Sequence, residues 1–325
     1  MAKIVEHGTW SLAPEDEARH EPGPELLWNE SYYFDFAAPD GSLAGYVRLG
    51  LYPNWDRAWY RAALVGPGRP LVIVADNHAP LPEPGSADVR APNYTATQKI
   101  TEPFGPAFVN LDGTASVLTD PAAAYGDLTG AETTRLAFDL RWDTVSGVYP
   151  YKDIPRYEIP CTVSGTVTVG GETIAIDAHG ERDHSWGERD WWKVSWLWTS
   201  GRLDDGTFVH GMQANIGFPI PWPCFTVPPG GEIGHRAGFS ARTDFGPADL
   251  PTGSDLRFPG APTTLTPVAF APVAITSPDG RPAHFVRALC RFEAADGRTG
   301  HGWTEWHQPP EWRDHGWSHL AEENP

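Results

Sequence analysis

Cysteine and methionine are scarce in this sequence, with three of the first and two of the second in 325 residues. Cys161, Cys224 and Cys290 are widely separated, odd in number and never arranged as C-x-x-C. That fits reduced thiols in a cytoplasmic protein better than a disulfide framework. Long apolar runs are also missing. No stretch of 18 apolar residues offers a transmembrane helix, and the opening M-A-K-I-V-E-H-G-T-W lacks the apolar centre of a signal peptide. Basic residues are in deficit, with 24 Lys and Arg against 42 Asp and Glu, for a formal net charge of -18. A field of that sign repels phosphate backbones and anionic lipid surfaces, so nucleic acid is not expected as a partner.

The chain has no phosphate-cradling G-x-x-x-x-G-K loop, no G-x-G-x-x-G after a strand and no G-x-S-x-G elbow. The histidine pairs His179/His184, His301/His307 and His315/His319 do not have zinc-ligand spacing. Neither a cofactor nor a metal is therefore expected.

What is present is turn chemistry and two-residue alternation. The 34 glycines and 33 prolines punctuate short runs in which apolar residues recur at every second position. Val47, Leu49 and Leu51 share one face; so do Leu136, Phe138, Leu140 and Trp142. Val163, Val167 and Val169 lie together, and after Gly170-Gly171 so do Ile174, Ile176 and Ala178. This predicts an all-β protein, mainly antiparallel, with helix under about a fifth and confined to a turn near Pro14 to Arg19. The length exceeds one ordinary core, so two domains are expected, residues 1–178 and 179–325, with the segment 179–192 at their junction.

His179 to Trp198 is the densest chemistry in the chain. Glu-Arg-Asp occurs at 181–183 and again at 188–190, with Gly187 between the copies as a bend. Trp186, Trp191, Trp192, Trp196 and Trp198, with Trp222 downstream, surround the two carboxylates. A carboxylic acid walled by indoles loses solvation and holds its proton, which suits a proton donor. Arg-Asp neighbours can equally be structural ion pairs, and Trp is mainly core material. Beyond the motif, Trp192, Val194, Trp196 and Trp198 are expected on one strand face. His210 and Met212 point the same way as the apolar set of Phe208 to Phe218. In Gly300 to His307, alternation places His301, Trp303, Glu305 and His307 together, as a site wall or as a solvated outer face.

The run R-D-H-S-W-G-x-R-D-W-W from Arg182 to Trp192, with the aromatic strand Glu30 to Phe36 and the late G-x-G-x-x-E of Gly300 to Glu305, resembles the two-domain lipocalin-like superfamily. That grouping contains carotenoid hydratases, kievitone hydratase and tocopherol cyclase-like proteins. The resemblance implies two lipocalin-like antiparallel β-barrel or sandwich domains and acid chemistry without a cofactor. It makes Asp183, rather than Asp190, the proton donor to an alkene, with His184 orienting the acid or a water. Trp186, Trp191 and Trp192 would stabilise a carbocation through their ring faces. His210, Met212, Trp303 and Glu305 complete the expected substrate wall. The expected ligand is a hydrophobic small molecule, terpenoid or polycyclic, that gains or loses water, isomerises or cyclises. The rival expectation is a non-catalytic carrier whose Arg-Asp pairs are structural.

Overall fold

The computed structural model describes residues 2–6, 11–152, 154–215, 219–221 (backbone alone) and 224–309. Trp222, His315 and His319 lie outside the described residues. The protein is all-β, built from two curled antiparallel sheets. Helix among the described residues is limited to short 3-10 turns, the first at Pro14–Glu17 where a helical turn was expected. None is long or apolar enough to cross a membrane.

The first sheet closes on itself. From Arg156–Val169, pairing passes through Glu172–Glu188, Trp28–Ala37, Ala44–Tyr52, Arg57–Val65, Leu71–Ala79, Ala107–Leu118 and Glu132–Thr144, and the last strand returns to Arg156–Val169. Eight strands give a barrel whose interior side chains just fill. Val47, Leu49, Leu51, Leu136, Phe138, Leu140 and Trp142 fill it, as their alternation predicts. Among the described residues a single parallel contact, Lys3–Ile4 on Gly147–Val148, interrupts the antiparallel rule.

The second sheet runs Gly234–Arg236, Cys224–Val227, Phe208–Asn215, Ser195–Leu203, Thr299–Gln308, Pro282–Ala294, Ala261–Phe270, Pro251–Phe258, Ser240–Phe245. It curls until the Ala241 amide donates to Gln213 Oε1 across the gap. Its own core contains Leu197, Val209, Leu256, Leu265, Phe292 and Trp306.

One apolar cluster belongs to both sheets, joining Tyr33, Tyr46 and Tyr151 of the first to Trp196, Trp198, Met212, Phe285 and Trp303 of the second. This contact explains the strand Glu172–Glu188. Its first half alternates between exposed and buried, whereas His179 to Ser185 is buried throughout. The inner face of that second half meets the barrel interior and the outer face meets the second sheet. Backbones pack closely here: a Cβ on Gly180 would come within 1.9 Å of the Asp35 carbonyl oxygen. Gly180→Ala is accordingly expected to destabilise the fold by about 1–3 kcal/mol, the usual range for forced overpacking, read as a lower urea midpoint.

Candidate active site

The site forms where the outer face of the barrel meets the second sheet. Strand register builds it in rows. Cross-strand partners place Glu158, Asp183, Tyr33, Arg48 and Arg61 side by side across five strands. The facing sheet supplies Met212, Trp198, Glu305 and Arg287 in the same manner. Between the rows lies a cavity of about 460 Å³ whose wall includes Asp183, Arg48, Arg156, Trp186, Trp191, Trp196, Met212, Phe285 and Glu305.

Asp183 is 7% exposed and lines this cavity. Its Oδ2 accepts a hydrogen bond from Arg156 Nη2 at 2.8 Å, and the same guanidinium reaches Glu158 Oε1 through Nε at 2.6 Å. Burial raises the Asp183 carboxyl above the ordinary aspartate value, and the opposing pull of Arg156 does not cancel it. Behind it stands a second tier of acids. Glu181 receives the Ser200 hydroxyl at 2.8 Å, and its Oε1 lies 2.7 Å from His210 Nδ1. His210 Nε2 is 2.7 Å from the Tyr151 hydroxyl. Burial pushes Glu181 up to about 8 and Glu158 well above the usual range, while it pushes His210 down to about 4. Two carboxyl groups, Asp183 and Glu158, thus share one guanidinium in a dry seam, with the raised Glu181 behind them.

The titration has a measurable sign. A folded value near 8 for Glu181, above the unfolded value near 4.5, means the folded state retains a proton that the unfolded state releases. That contribution is complete below about 4.5 and is lost as pH rises through about 8. Melting temperature is therefore expected to fall between pH 5 and 9, and Glu181→Gln, which keeps a neutral side chain, should flatten the decline.

Several expected site residues lie elsewhere. His184 follows Asp183 on a strand and so points to the opposite face, into the barrel. There its Nε2 meets Glu30 Oε1 at 2.9 Å and its ring stacks on Tyr32; it cannot orient the Asp183 carboxyl. Trp192 is not on a strand. Trp191–Lys193 forms a 3-10 turn, and Trp192 packs edge-on to Trp59, away from the cavity. His210 sits behind the wall in the acid cluster, and Trp303 is buried with its indole donating to the Phe36 carbonyl oxygen at 2.9 Å. Trp186, Trp191, Met212 and Glu305 do line the cavity. Glu305 is ion-paired to Arg287 at 2.7 Å and accepts from Trp196 Nε1 at 2.6 Å. Gly187 has φ +109, the bend expected between the two Glu-Arg-Asp copies. Past it, Asp190 pairs with Arg281 at 3.0 Å and Lys193 at 3.1 Å, as expected of a structural carboxylate.

Two groups have donor atoms close enough to share an ion, His20/Glu30/His184 and Glu158/Glu181/His210. In the first, His20 Nδ1 and His184 Nε2 already meet Glu30 Oε1 at 2.8 and 2.9 Å. Spacing rules cannot detect either group, since each is assembled from three different strands or loops. The sequence reading also missed Arg48, Arg156, Tyr33, Arg287 and Phe285. Arg48 did leave a signal, being the sole charge in the otherwise apolar run Gly45 to Leu51.

The model of a domain of unknown function, DUF7064, matches residues 13–310. The chain belongs to the DUF7064 family. No curated protein sequence matches it. Among solved structures, this DUF7064 chain is similar to a candidate AttH from Nitrosomonas europaea. The TM-score is 0.61 at 15% identity, over 94% of this chain and 98% of the other. It is also similar to kievitone hydratase from Nectria haematococca, with a TM-score of 0.53 at 12% identity, over 90% and 91% of the two chains. At such identities the likeness is one of fold.

Proposed function

We propose that this protein is a general-acid enzyme that adds or removes water, isomerises or cyclises an apolar small molecule, with Asp183 as the proton donor. The observation that carries this reading is the placement of a buried carboxyl, raised above the ordinary aspartate value by burial, in the wall of a cavity large enough for a drug-sized ligand. Glu181, pushed up to about 8, stands behind it as a second proton-bearing group. Trp196 offers an electron-rich wall for charge that develops on protonation, whereas the Trp186 ring is stacked on His20 at 4.0 Å. The Trp191 ring is less available, because the Arg48 guanidinium already lies 4.7 Å from its centre. The fold shared with kievitone hydratase is consistent with a hydratase and does not choose the substrate.

The second reading, a carrier, draws on one observation: Asp183 is ion-paired to Arg156 and could be structural. The two part in deuterium oxide. Incubation of the purified protein with a library of terpenoids and polycyclic alkenes, followed by mass spectrometry, is expected to yield a product with one deuterium on carbon where an alkene is protonated, or an unlabelled product lighter by one water where water is removed. Ligands retained but returned unchanged and unlabelled would support the carrier.

A further inference from the structure

We propose that the cavity is built for an apolar molecule bearing one carboxylate, and that the Arg48 guanidinium receives that group. The proposal rests on the cavity being the ligand site and leaves open which atom Asp183 protonates. Four arginines are buried among the described residues: Arg48, Arg61, Arg182 and Arg287. Arg182 is paired with Glu17, Arg287 with Glu305, and Arg61 donates to Asn77 Oδ1. Arg48 is paired with no carboxylate among the described residues. It is 3% exposed, and the one polar group close to its head is neutral, the Tyr52 hydroxyl. Its other neighbours are the Trp191 ring and, directly across the strand pair, the like-charged Arg61.

The guanidinium nevertheless has a place prepared for it. A Cβ on Gly50 would fall 2.5 Å from Arg48 Nη1, so the glycine vacates the space the head group occupies in the cavity wall. A second guanidinium in that wall, Arg189, bonds among the described residues to the backbone carbonyls of Pro155 and Trp186 alone, at 3.2 and 3.4 Å. Burial, with Arg156 and Arg48 adding repulsion, pushes its proton affinity down to about 10. Buried cations that bond no carboxylate oppose folding, Asp183 attracting both without bonding either, and an arriving oxyanion converts that opposition into affinity. One negative charge fits and two do not, because Glu305, Glu188 and Asp190 border the same cavity and the chain carries a net charge of -18. The remaining wall, with Trp186, Trp196, Met212 and Phe285, takes the apolar body.

The test uses 1-pyrenebutyric acid and its methyl ester, which share one fluorescent ring system and a carbonyl but differ in charge. Titrations of the full chain are expected to show the acid binding on the order of tenfold tighter than the ester, or more, as a charge-assisted pair provides. Arg48→Gln should abolish the preference while leaving ester affinity in place. Its melting temperature should be unchanged or higher, since an uncompensated charge is removed. Arg48→Lys, which keeps the charge but not the planar fork, should retain part of the preference, and it carries the test if the glutamine variant does not fold. Equal binding of acid and ester by the natural protein, or a full preference surviving in both variants, overturns the proposal. Binding is read without turnover, so the two readings fail separately. Acid preference with no product in deuterium oxide leaves the carboxylate site standing, whereas product without acid preference leaves only Asp183 chemistry.

Discussion

Asp183→Asn is expected to lower turnover by about 10²–10⁴-fold, the usual consequence of losing a general acid, while the protein melts close to the natural one. Asparagine keeps the volume of the side chain and an oxygen for Arg156 Nη2. It removes the transferable proton. Arg156 is not stranded by the change, because Nε still reaches Glu158 Oε1 at 2.6 Å. Removing a carboxyl from a seam that already holds Glu158 and Glu181 also relieves repulsion. Asp190→Asn is the control. Its partners Arg281 and Lys193 are far more exposed than Arg156, so its loss should cost under about 1 kcal/mol and spare most turnover. Parallel melting and product assays decide the matter: an Asp183→Asn protein that melts much lower yet turns over fully would make this carboxylate structural.

The largest effect on stability is expected at Arg182→Met, about 3–5 kcal/mol, because the substitution leaves a buried carboxylate alone. Glu17 comes from the 3-10 turn of the N-terminal arm and receives Arg182 Nη1 at 2.9 Å and Nη2 at 3.0 Å. It also accepts from the Tyr157 hydroxyl and the Phe104 amide. The double variant Glu17→Gln/Arg182→Met should recover part of the loss, since no lone charge remains. Burial alone would raise the Glu17 carboxyl, but Arg182 and Tyr157 outweigh it and hold the group below the ordinary glutamate value of 4.5. A depressed folded value stabilises above the unfolded value and is lost as pH falls through the folded one. Urea unfolding of the natural protein should therefore weaken in acid below about pH 4.5, more steeply than that of the double variant. Arg182 faces the barrel interior and Asp183 the cavity, so turnover per folded molecule should persist in Arg182→Met. Equal urea midpoints for Arg182→Met and the natural chain would remove the buried pair from the account of stability.

Alternation and turn chemistry were sufficient to read the all-β class, because a half-buried strand must place apolar residues two apart whatever it pairs with. Leu136 to Trp142 and Ile174 to Ala178 show the rule acting locally. The same rule already placed Asp183 and His184 on opposite faces, although the family motif names them together. Pairing register is another matter. Asp183, Tyr33 and Arg48 are cavity neighbours only because three strands align at one position, and nothing local in any of them records its partner. Nor could spacing reveal that Glu172–Glu188 passes from one buried face to two, since that follows from a second sheet arriving from residues 195–308. The strand rule failed for Trp192, where the chain leaves the barrel through a 3-10 turn before entering the next sheet. Composition and period therefore decided the class of fold, and the sequence named five residues of the cavity wall, Trp186, Trp191, Met212, Glu305 and, through the family motif, Asp183. The charge on Asp183, its partners and the guanidinium beside it that pairs with no carboxylate were decided by which surfaces exclude water together, which is a property of tertiary packing alone.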